Sequence, residues 1–403
     1  MHTTNAIIGA GPSGMIAALL AARGGAQVTL VDANAVLGRK LLVTGSGRAN
    51  LTNQNIKASR YTCADPVWME HLLARFGHAD LISFFKSIGV LTYATSDGWC
   101  YPISDSAQSV VNAFAAALEL AGVKVHLEHH VTTIRNTVGG FSLSFENGHP
   151  LTCAHLLVAA GGKAYPTLGS KGELFPALTA MGHTVLPLVP SLGPVTADMH
   201  IYQKLQGVRL DAHVTLFEGS KLLSETTGNL IFTQWGFNGP AVMDLSHLVA
   251  TRPGASLCML MNFLPQNEPD MREMVKLHRH ELIPLEVVPG SALPPKITAA
   301  FLEMAGIPAG THLADCSDMQ LKRLFDLITA MPVKVSGVRG FEYCQVSAGG
   351  VPVTEVDPET MQSRLVPGLF LAGETLDVVG PCGGYNLQYA FSSGAVAGMG
   401  MAH

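Results

Sequence analysis

No two of the seven cysteines in this 403-residue chain stand at CxxC spacing. Cys63, Cys100, Cys153, Cys258, Cys316, Cys344 and Cys382 are scattered, which argues against a disulfide framework, a zinc site and a redox dithiol alike. Sixteen histidines give no HExxH or other ligand spacing, so no metal site is expected. His129-His130 and His278/His280 read as surface or packing residues. Charge is sparse, at 14% of residues with a net of −5, and no basic run exists to follow a phosphate backbone. Nucleic acid is therefore not an expected partner. No cationic leader precedes the first apolar run, and the uncharged stretch from Val378 onward is broken by Gly, Pro, Asn, Gln and Ser. A cytoplasmic chain with no membrane partner is expected, and none of these patterns speaks to its oligomeric state. No repeat of 20 to 50 residues is visible. With 48% hydrophobic residues the chain reads as compact and long enough for two or three domains.

What is present begins at the N-terminus. Asn5 to Ile8 is a short apolar run, followed by Gly9-Ala10-Gly11-Pro12-Ser13-Gly14 and then Met15 to Arg23, a helical pattern stopped by Gly24-Gly25. Gln27 to Val31 is a second strand ending on Asp32. Gly9 permits the tight turn, Gly11 lets the backbone approach a pyrophosphate, and Gly14 allows close helix–strand packing. The helix N-terminus offers free N–H groups and a positive dipole end to the diphosphate. Asp32 is placed to accept hydrogen bonds from a ribose diol. Next comes Gly38-Arg39-Lys40-Leu41-Leu42-Val43-Thr44-Gly45-Ser46-Gly47-Arg48-Ala49-Asn50-Leu51-Thr52-Asn53, too polar and glycine-rich to pack as a regular element. It suits wrapping a polar ligand, with Arg39, Lys40 and Arg48 able to neutralise diphosphate charge.

Pro66 to Phe76 and Ala79 to Ser87 are helical in pattern, and Val90 to Ala94 and Trp99 to Pro102 flank an Asp97-Gly98 turn. Ser104 or Asp105 caps a long helix through Ala121. Lys124 to Leu127 reads as a parallel strand, and Val131 just after it is where backbone meets adenine in a nucleotide domain of this order. Thr132 to Arg135, Phe141 to Phe145 and Leu151-Thr152 read as a small antiparallel meander. His155 to Ala160 is a further strand, ending on Gly161-Gly162. Prolines 187, 190 and 194 mark a change of texture into a β-rich module, with runs at Gly193 to Ala197, Val208 to Phe217, Lys221 to Leu223, Leu230 to Thr233 and Ala255 to Phe263. Met271 to His280, Lys296 to Met304 and Asp318 to Ala330 form a helical insertion, and Pro332 to Gln345 returns as strand. The expected organisation is a first nucleotide-binding part at 1–188, a β-rich substrate domain at 189–263 and 332–346, a helical insertion at 264–331, and a second nucleotide-binding part at 347–403.

The C-terminal anchor is Pro367 to Ala372, a hydrophobic strand, then Gly373-Glu374-Thr375-Leu376-Asp377 and Gly380-Pro381-Cys382-Gly383-Gly384-Tyr385-Asn386 leading into a helix from Leu387 to Met399. Glycine at such density costs stability unless backbone must approach something. An N-terminal nucleotide site completed by strand, glycine and acid at the C-terminus is the arrangement of two-dinucleotide-fold flavoproteins. The acid bonds the ribityl chain or the diphosphate side, and the late helix aims its positive end at the flavin N1/C2 oxygen.

With these segments assembled, the chain resembles the bacterial aminoacetone-oxidase-like, or BaiN/YhiN-like, flavoprotein family. The resemblance rests on the 38–53 block and on Gly228-Asn229-Leu230-Ile231-Phe232-Thr233-Gln234-Trp235-Gly236-Phe237-Asn238-Gly239-Pro240. It rests equally on Ser347-Ala348-Gly349-Gly350-Val351, on Gly373 to Asp377 and on Gly383-Gly384-Tyr385-Asn386-Leu387-Gln388. It implies an α/β fold: a split, Rossmann-like, two-dinucleotide-fold FAD domain with an inserted β-barrel-like domain and a helical insertion. Implied FAD contacts are Gly9, Gly11, Pro12, Ser13, Gly14, Asp32, Arg39, Lys40, Thr44, Asn50, Val131, Gly161, Gly373, Asp377, Asn386 and Leu387. Gly45, Arg48, Gly162, Glu374, Gly384 and Tyr385 join them from the reading of the loops. Position 49 is alanine where the family usually carries cysteine after the arginine, so no thiol acts there.

The leading expectation is an FAD-dependent oxidoreductase passing hydride between a small organic substrate and flavin. No second GxGxxG stands in a strand–helix context, so electrons come from a transient NAD(P)H visit or leave to O2. A reductase of an activated C=C bond and an amine oxidase both fit. No catalytic acid or base is legible, although Cys382 and Tyr385 lie near the flavin by sequence. Two other classes remain: a flavin-binding sensor or interaction protein with little turnover, and an NAD-binding dehydrogenase, against which the Gly373 to Asp377 segment speaks.

Overall fold

The N-terminal fingerprint folds as β1 (His2–Ile8), α1 (Pro12–Arg23) and β2 (Val28–Val31), with the two strands parallel and paired from Asn5↔Val28 to Ile8↔Val31. The structure, a computed structural model, describes residues 1–402. It divides into two compact units, one formed by 1–189 with 345–402 and the other by Pro190–Cys344.

In the first unit, β3 (Thr52–Asn53), β4 (Thr92–Ala94) and β5 (Trp99–Pro102) make a small antiparallel sheet, with α2 (Pro66–Arg75) and α3 (His78–Ser87) between β3 and β4. The helix α4 (Ala107–Leu120) follows. Its N-cap is Ser106, with no side-chain capping bond, and neither Ser104 nor Asp105 takes that role. Ser104 Oγ is bonded to Ser109 Oγ, and Asp105 accepts the Tyr93 hydroxyl at 2.7 Å. Then come β6 (Lys124–His126), β7 (Val131–Thr137), β8 (Gly140–Phe145) and β9 (Leu151–Val158). Leu151-Thr152 and the run from His155, separate in the sequence reading, are one strand. The first half of β9 pairs antiparallel with β8, while the whole of it runs parallel to β1. One strand thereby joins the meander to the nucleotide sheet, because its two edges are used by partners of opposite direction. Past α5 (Phe175–Ala180), β10 (Leu186–Ser191) crosses the boundary between units.

The second unit is a closed barrel, in the order β11 (Val195–Ala197), β14 (Gly236–Asn238), β13 (Lys221–Phe232), β12 (Arg209–Glu218), β15 (Leu257–Asn262) and β16 (Met331–Val338). Lys221 to Leu223 and Leu230 to Thr233, read apart in the sequence, belong to the single strand β13 except for Thr233, which lies just past its end. Its polar middle, Ser224 to Asn229, stays in register with β12 throughout. Alternation fills the barrel: Ala212, Val214 and Leu216 of β12 are fully buried, and so are Met259 and Met261 of β15. Two short helices, α6 (Pro240–Met243) and α7 (Ser246–Ala250), follow β14. Four more stand between β15 and β16: α8 (Glu268–Leu277), α9 (Val287–Gly290), α10 (Pro295–Met304) and α11 (Asp318–Thr329). The strand expected from Pro332 to Gln345 ends at Val338.

The chain then returns to the first unit as β17 (Val346–Gly350), β18 (Leu369–Leu371) and α12 (Tyr385–Gly400). The strand β18 lies parallel to the end of β9, from Leu369↔Leu156 to Leu371↔Val158. The main sheet is seven-stranded, in the order β6-β2-β1-β9-β8-β7 with β18 beside β9. No helix among the described residues is long and apolar enough to cross a membrane.

Two helices from opposite ends of the sequence pack backbone to backbone. A Cβ on Gly394 would strike the Ser13 carbonyl oxygen, and one on Gly398 would strike that of Ala17. Matched steps of four residues mean that α1 and α12 run in the same direction. Tyr385 stands nine residues ahead of Gly394 and Pro12 one ahead of Ser13, so the start of α12 lies roughly 12 Å ahead of the start of α1.

A polar cluster lies inside this unit. The His183 ring, with no exposed side-chain surface, reaches Glu355 through Nδ1 at 2.7 Å and Ser363 Oγ through Nε2 at 2.9 Å. Ser363 Oγ already accepts from the N–H groups of Leu365 and Val366, so its own hydrogen goes to Nε2 and Nδ1 carries the ring proton toward Glu355. Burial by itself pushes the Glu355 carboxyl up, but hydrogen bonds from Thr184 and His183 outweigh it and hold the pKa below the usual 4.5. A carboxyl depressed on folding stabilises the native state above its unfolded pKa, and that support is lost as pH falls through the lower folded value. We expect the wild-type melting temperature to decline below about pH 4.5, with a shallower decline in Glu355→Gln. Parallel acid limbs in thermal melts from pH 3 to 6 would remove Glu355 as its source.

Candidate cofactor site

The three fingerprint glycines divide their roles by what surrounds them. Gly9, at φ +104°, bonds its N–H to Val31 O at 2.8 Å, and a Cβ there would meet Ala159 O. A Cβ on Gly14 would meet Gly9 O, which is the close packing of turn against helix. A Cβ on Gly11 meets nothing within 4 Å. Gly11 therefore presents bare backbone to open space at the N-terminus of α1, the geometry a pyrophosphate requires. Pro12 stands at the first helical position, where a missing N–H costs nothing. Ser13 is buried against Gly373.

Asp32 closes this turn from beside. Its Oδ2 accepts from Ala10 N–H at 2.6 Å, and its Oδ1 accepts from the Asn34 N–H and amide at 2.7 and 2.8 Å. The carboxylate thus fixes the fingerprint loop. Val131, buried at the start of β7, pairs with Phe145.

The three cations of the 38–50 loop each have a partner. Arg39 donates to Asn34 Oδ1 at 2.8 Å, and Lys40 pairs with Glu374 at 2.7 Å. Arg48 lies over the Tyr101 ring at 4.5 Å, with a long bond to Gly45 O. Thr44 Oγ1 donates to Leu41 O, and the backbone turns left-handed at Gly45, Ser46, Gly47 and Ala49. This is a tightly folded loop with its cations held in place, irregular as the sequence had read it. Asn50 is buried, and its amide, oriented as its neighbours require, donates to Thr52 O and Cys100 O and accepts from Gly384 N–H at 3.2 Å.

Glu374 ties three segments together. Beyond Lys40, its Oε1 accepts from Ser347 N–H and Oγ, both at 2.8 Å. Ser347 Oγ also accepts from Lys163 N–H, next to Gly162, where a Cβ would run into that same hydroxyl. Gly161 turns at φ +81°. Asp377 Oδ1 accepts from Gly349 N–H at 2.7 Å. Between these two acids, Thr375 Oγ1 is buried with no partner among the described residues. A buried hydroxyl left unpaired is costly, and a polar ligand group at this segment would satisfy it.

The helix α12 begins at Tyr385, two residues before the Leu387 start read from sequence, because Gly384 supplies the left-handed N-cap at φ +95°. Asn386 fastens the preceding loop, its amide donating to Gly380 O at 2.8 Å and its Oδ1 accepting from Gly380 N–H at 2.9 Å. Tyr385 donates to Asn55 O at 3.0 Å, and Leu387 packs on the core. Of the predicted residues, Pro12, Ser13 and Gly14 open α1 and Tyr385, Asn386 and Leu387 open α12, two parallel helices whose positive ends are staggered by roughly 12 Å. One end suits a diphosphate, and the other suits a ring system that gathers negative charge. Sequence reasoning missed Ser347, Thr375, Gly394 and Gly398. Only the two helical glycines carried a signal, their four-residue spacing.

Cysteine chemistry is not offered by two of the buried thiols: burial pushes Cys100 up to about 11 and Cys153 up to about 12.

The fold holds a Rossmann-type nucleotide domain, and with the family and relatives that follow the chain is an FAD-dependent oxidoreductase. The chain belongs to the family described as the HI0933-like protein Rossmann domain, whose profile matches residues 3–400. The BaiN/YhiN-like resemblance read from the sequence is this group. The chain is 35% identical over 400 residues, 97% of each protein, to the 3-dehydro-bile acid delta(4,6)-reductase of Clostridium scindens. It is 31% identical over 390 residues, 96% of this chain and 95% of the other, to the ribosomal RNA dihydrouridine synthase of Escherichia coli. Among solved structures, 3-ketosteroid delta1-dehydrogenase from Sterolibacterium denitrificans shares the fold, with a TM-score of 0.54, 11% identity and coverage of 100% of this chain and 99% of that one.

Proposed function

We propose that this protein reduces a carbon–carbon double bond conjugated to a carbonyl in a small organic substrate, with NAD(P)H as a transient electron donor to its FAD. The observation that carries the reading is the staggered pair of helix N-termini with open space at Gly11. This arrangement suits a two-part cofactor, a diphosphate followed by a ring that becomes anionic on reduction. Gly11, Ser13 and Gly14 would hold the diphosphate, Asp32 the adenosine ribose, and Glu374, Thr375 and Asp377 the ribityl side. The N-terminus of α12 would stabilise the reduced ring. When bound, FAD supplies hydride transfer at N5. The chain's own part is orientation and a fixed positive field, with Lys40–Glu374 and Asp377–Gly349 holding the acidic segment in register.

The choice of a conjugated double bond rests on the two curated relatives. A delta(4,6)-reductase and a dihydrouridine synthase both saturate a C=C bond activated by a carbonyl. A free small molecule is favoured over RNA by the net charge of −5 and by the cationic groove of the second unit. Of the groove's Arg272, Lys276, Arg279 and Lys322, all but Lys276 are paired, with Glu268, Asp318 and Asp326. A polyanion partner needs unpaired cations.

The test is anaerobic. NADH or NADPH is expected to bleach the flavin band of the FAD-loaded protein, and a cyclic enone is expected to restore it with formation of the saturated ketone. Re-oxidation by uridine-containing RNA but by no enone would transfer the activity to a nucleic-acid substrate. A flavin band unmoved by either nicotinamide would defeat the reductase reading.

A further inference from the structure

The barrel strands deliver three side chains to one place in the second unit. Trp235 sits in the turn between β13 and β14, where Thr233 N–H bonds Gly236 O at 2.9 Å. The Trp235 carbonyl accepts from the N–H of Ala197, the last residue of β11, at 3.1 Å. Arg339 follows directly on β16, and its N–H donates at 2.9 Å to the carbonyl of Pro194, the residue before β11. Tyr343 is set by a turn that bonds its N–H to Gly340 O at 3.0 Å. The three-residue strand β11 thus fixes Trp235 at one end and Arg339 at the other.

The side chains then stack. Arg339 Cζ lies 3.3 Å from the Tyr343 ring centroid and 4.7 Å from that of Trp235. Both distances fall within cation–π reach. Elsewhere in this unit Arg252, Arg272 and Arg279 each have a carboxylate partner. Arg339 forms no ion pair among the described residues, although Glu342 stands in the same loop. Arg339 is half-buried, and its guanidinium carbon lies over both aromatic rings. What remains is the in-plane edge of the guanidinium, a fork of N–H donors matched to a planar oxygen acceptor.

We propose that Arg339, Trp235 and Tyr343 form a binding site for a flat, conjugated molecule bearing a carbonyl or carboxylate oxygen. The guanidinium edge grips the oxygen, and the indole and phenol rings lie against the conjugated plane. The part this site plays in turnover rests on the reductase reading, since such a molecule is that reaction's substrate class. Binding itself does not.

Isothermal titration of trans-cinnamate into the full-length FAD-loaded protein tests it. Wild type is expected to bind cinnamate and to bind cinnamyl alcohol, which has a hydroxyl in place of the carboxylate, far more weakly. Arg339→Met is expected to weaken cinnamate about tenfold or more, with Arg339→Lys in between, because an ammonium keeps the charge without the fork. Trp235→Ala also weakens it. Uridine, titrated in parallel, separates a nucleobase from a free acid as the source of the same chemistry. Thermal melts show which variants are folded, and should Arg339→Met fail to fold, the Arg339→Lys comparison carries the test. Binding of neither cinnamate nor uridine to wild type overturns the assignment. So does affinity for the bound probe within twofold of wild type in a folded Arg339 variant. Arg339-dependent binding without enone reduction keeps this site and removes the reductase reading. Enone reduction with cinnamate affinity independent of Arg339 does the reverse.

Discussion

Gly11→Val is expected to abolish cofactor loading while leaving the flavin-free chain as stable as wild type. The expectation is unusual for a glycine in a tight turn, and it follows from geometry. Gly11 has φ −78° and ψ −175°, an extended conformation that β-branched residues adopt readily. A Cβ there meets nothing of the protein within 4 Å. The isopropyl group would instead fill the space where a pyrophosphate approaches the backbone. We expect FAD affinity to fall ~100-fold or more, about 2.7 kcal/mol, with the melting temperature of the flavin-free protein unchanged. Gly14→Ala is the contrasting case. Its methyl group collides with Gly9 O, so stability and flavin are lost together. Equilibrium dialysis against FAD, read by the visible band, and melts of the flavin-free forms distinguish the two. Wild-type flavin stoichiometry in Gly11→Val would place the cofactor elsewhere.

The largest stability effect is expected at Gly394, far from the fingerprint in sequence. Gly394→Val drives a branched side chain into the Ser13 carbonyl on the first turn of α1. The obstacle is helical backbone, which cannot rotate aside as a side chain would. We expect a loss of about 3 kcal/mol, at the upper end for overpacking. A fall in FAD affinity should accompany it, because pushing α12 off α1 alters the stagger of the two helix ends. Gly290→Ala is the control: nothing lies within 4 Å of its added methyl, and the change in α9 is expected to be neutral or stabilising by up to about 1 kcal/mol. Urea midpoints measure both, and a Gly394→Val midpoint equal to wild type would mean that the helices do not meet backbone to backbone.

Much of the nucleotide domain was legible because its determinants are local. The turn at Gly9, the apolar run of α1 and the acid at the end of β2 lie within thirty-two residues, and each is dictated by backbone geometry or periodicity at its own position. The same holds for Gly384, which the sequence marked as a place where backbone must do something special and which turns out to cap α12. Where the reading failed, it failed on pairings that local composition and periodicity do not show, near in sequence or far. Leu151-Thr152 and the run from His155 were split because the sequence does not show that β8 holds one edge of β9 while β1 spans the other. Lys221 to Phe232 was split because the polar centre of β13 has no local reason to be strand. Its pairing with β12 supplies that reason. Ser106 replaced Ser104 and Asp105 at the cap of α4 because those side chains are bonded to Ser109 and Tyr93.

The sequence by itself determined the class of protein: spacing and composition at Gly9 to Asp32 and Gly373 to Asn386 leave few alternatives to a dinucleotide cofactor. It also argued against chemistries that need cysteines or histidines at ligand spacing, since its seven cysteines and sixteen histidines are scattered. Only the tertiary structure decided which charges are spent and which are free. Lys40 finds Glu374 across more than three hundred residues, and Asp32 turns inward to hold its own loop, whereas Arg339 is left with aromatic faces and no carboxylate. Spacing along a chain fixes what backbone can do. The partner of a long, charged side chain is set by whatever the fold brings within about 4 Å.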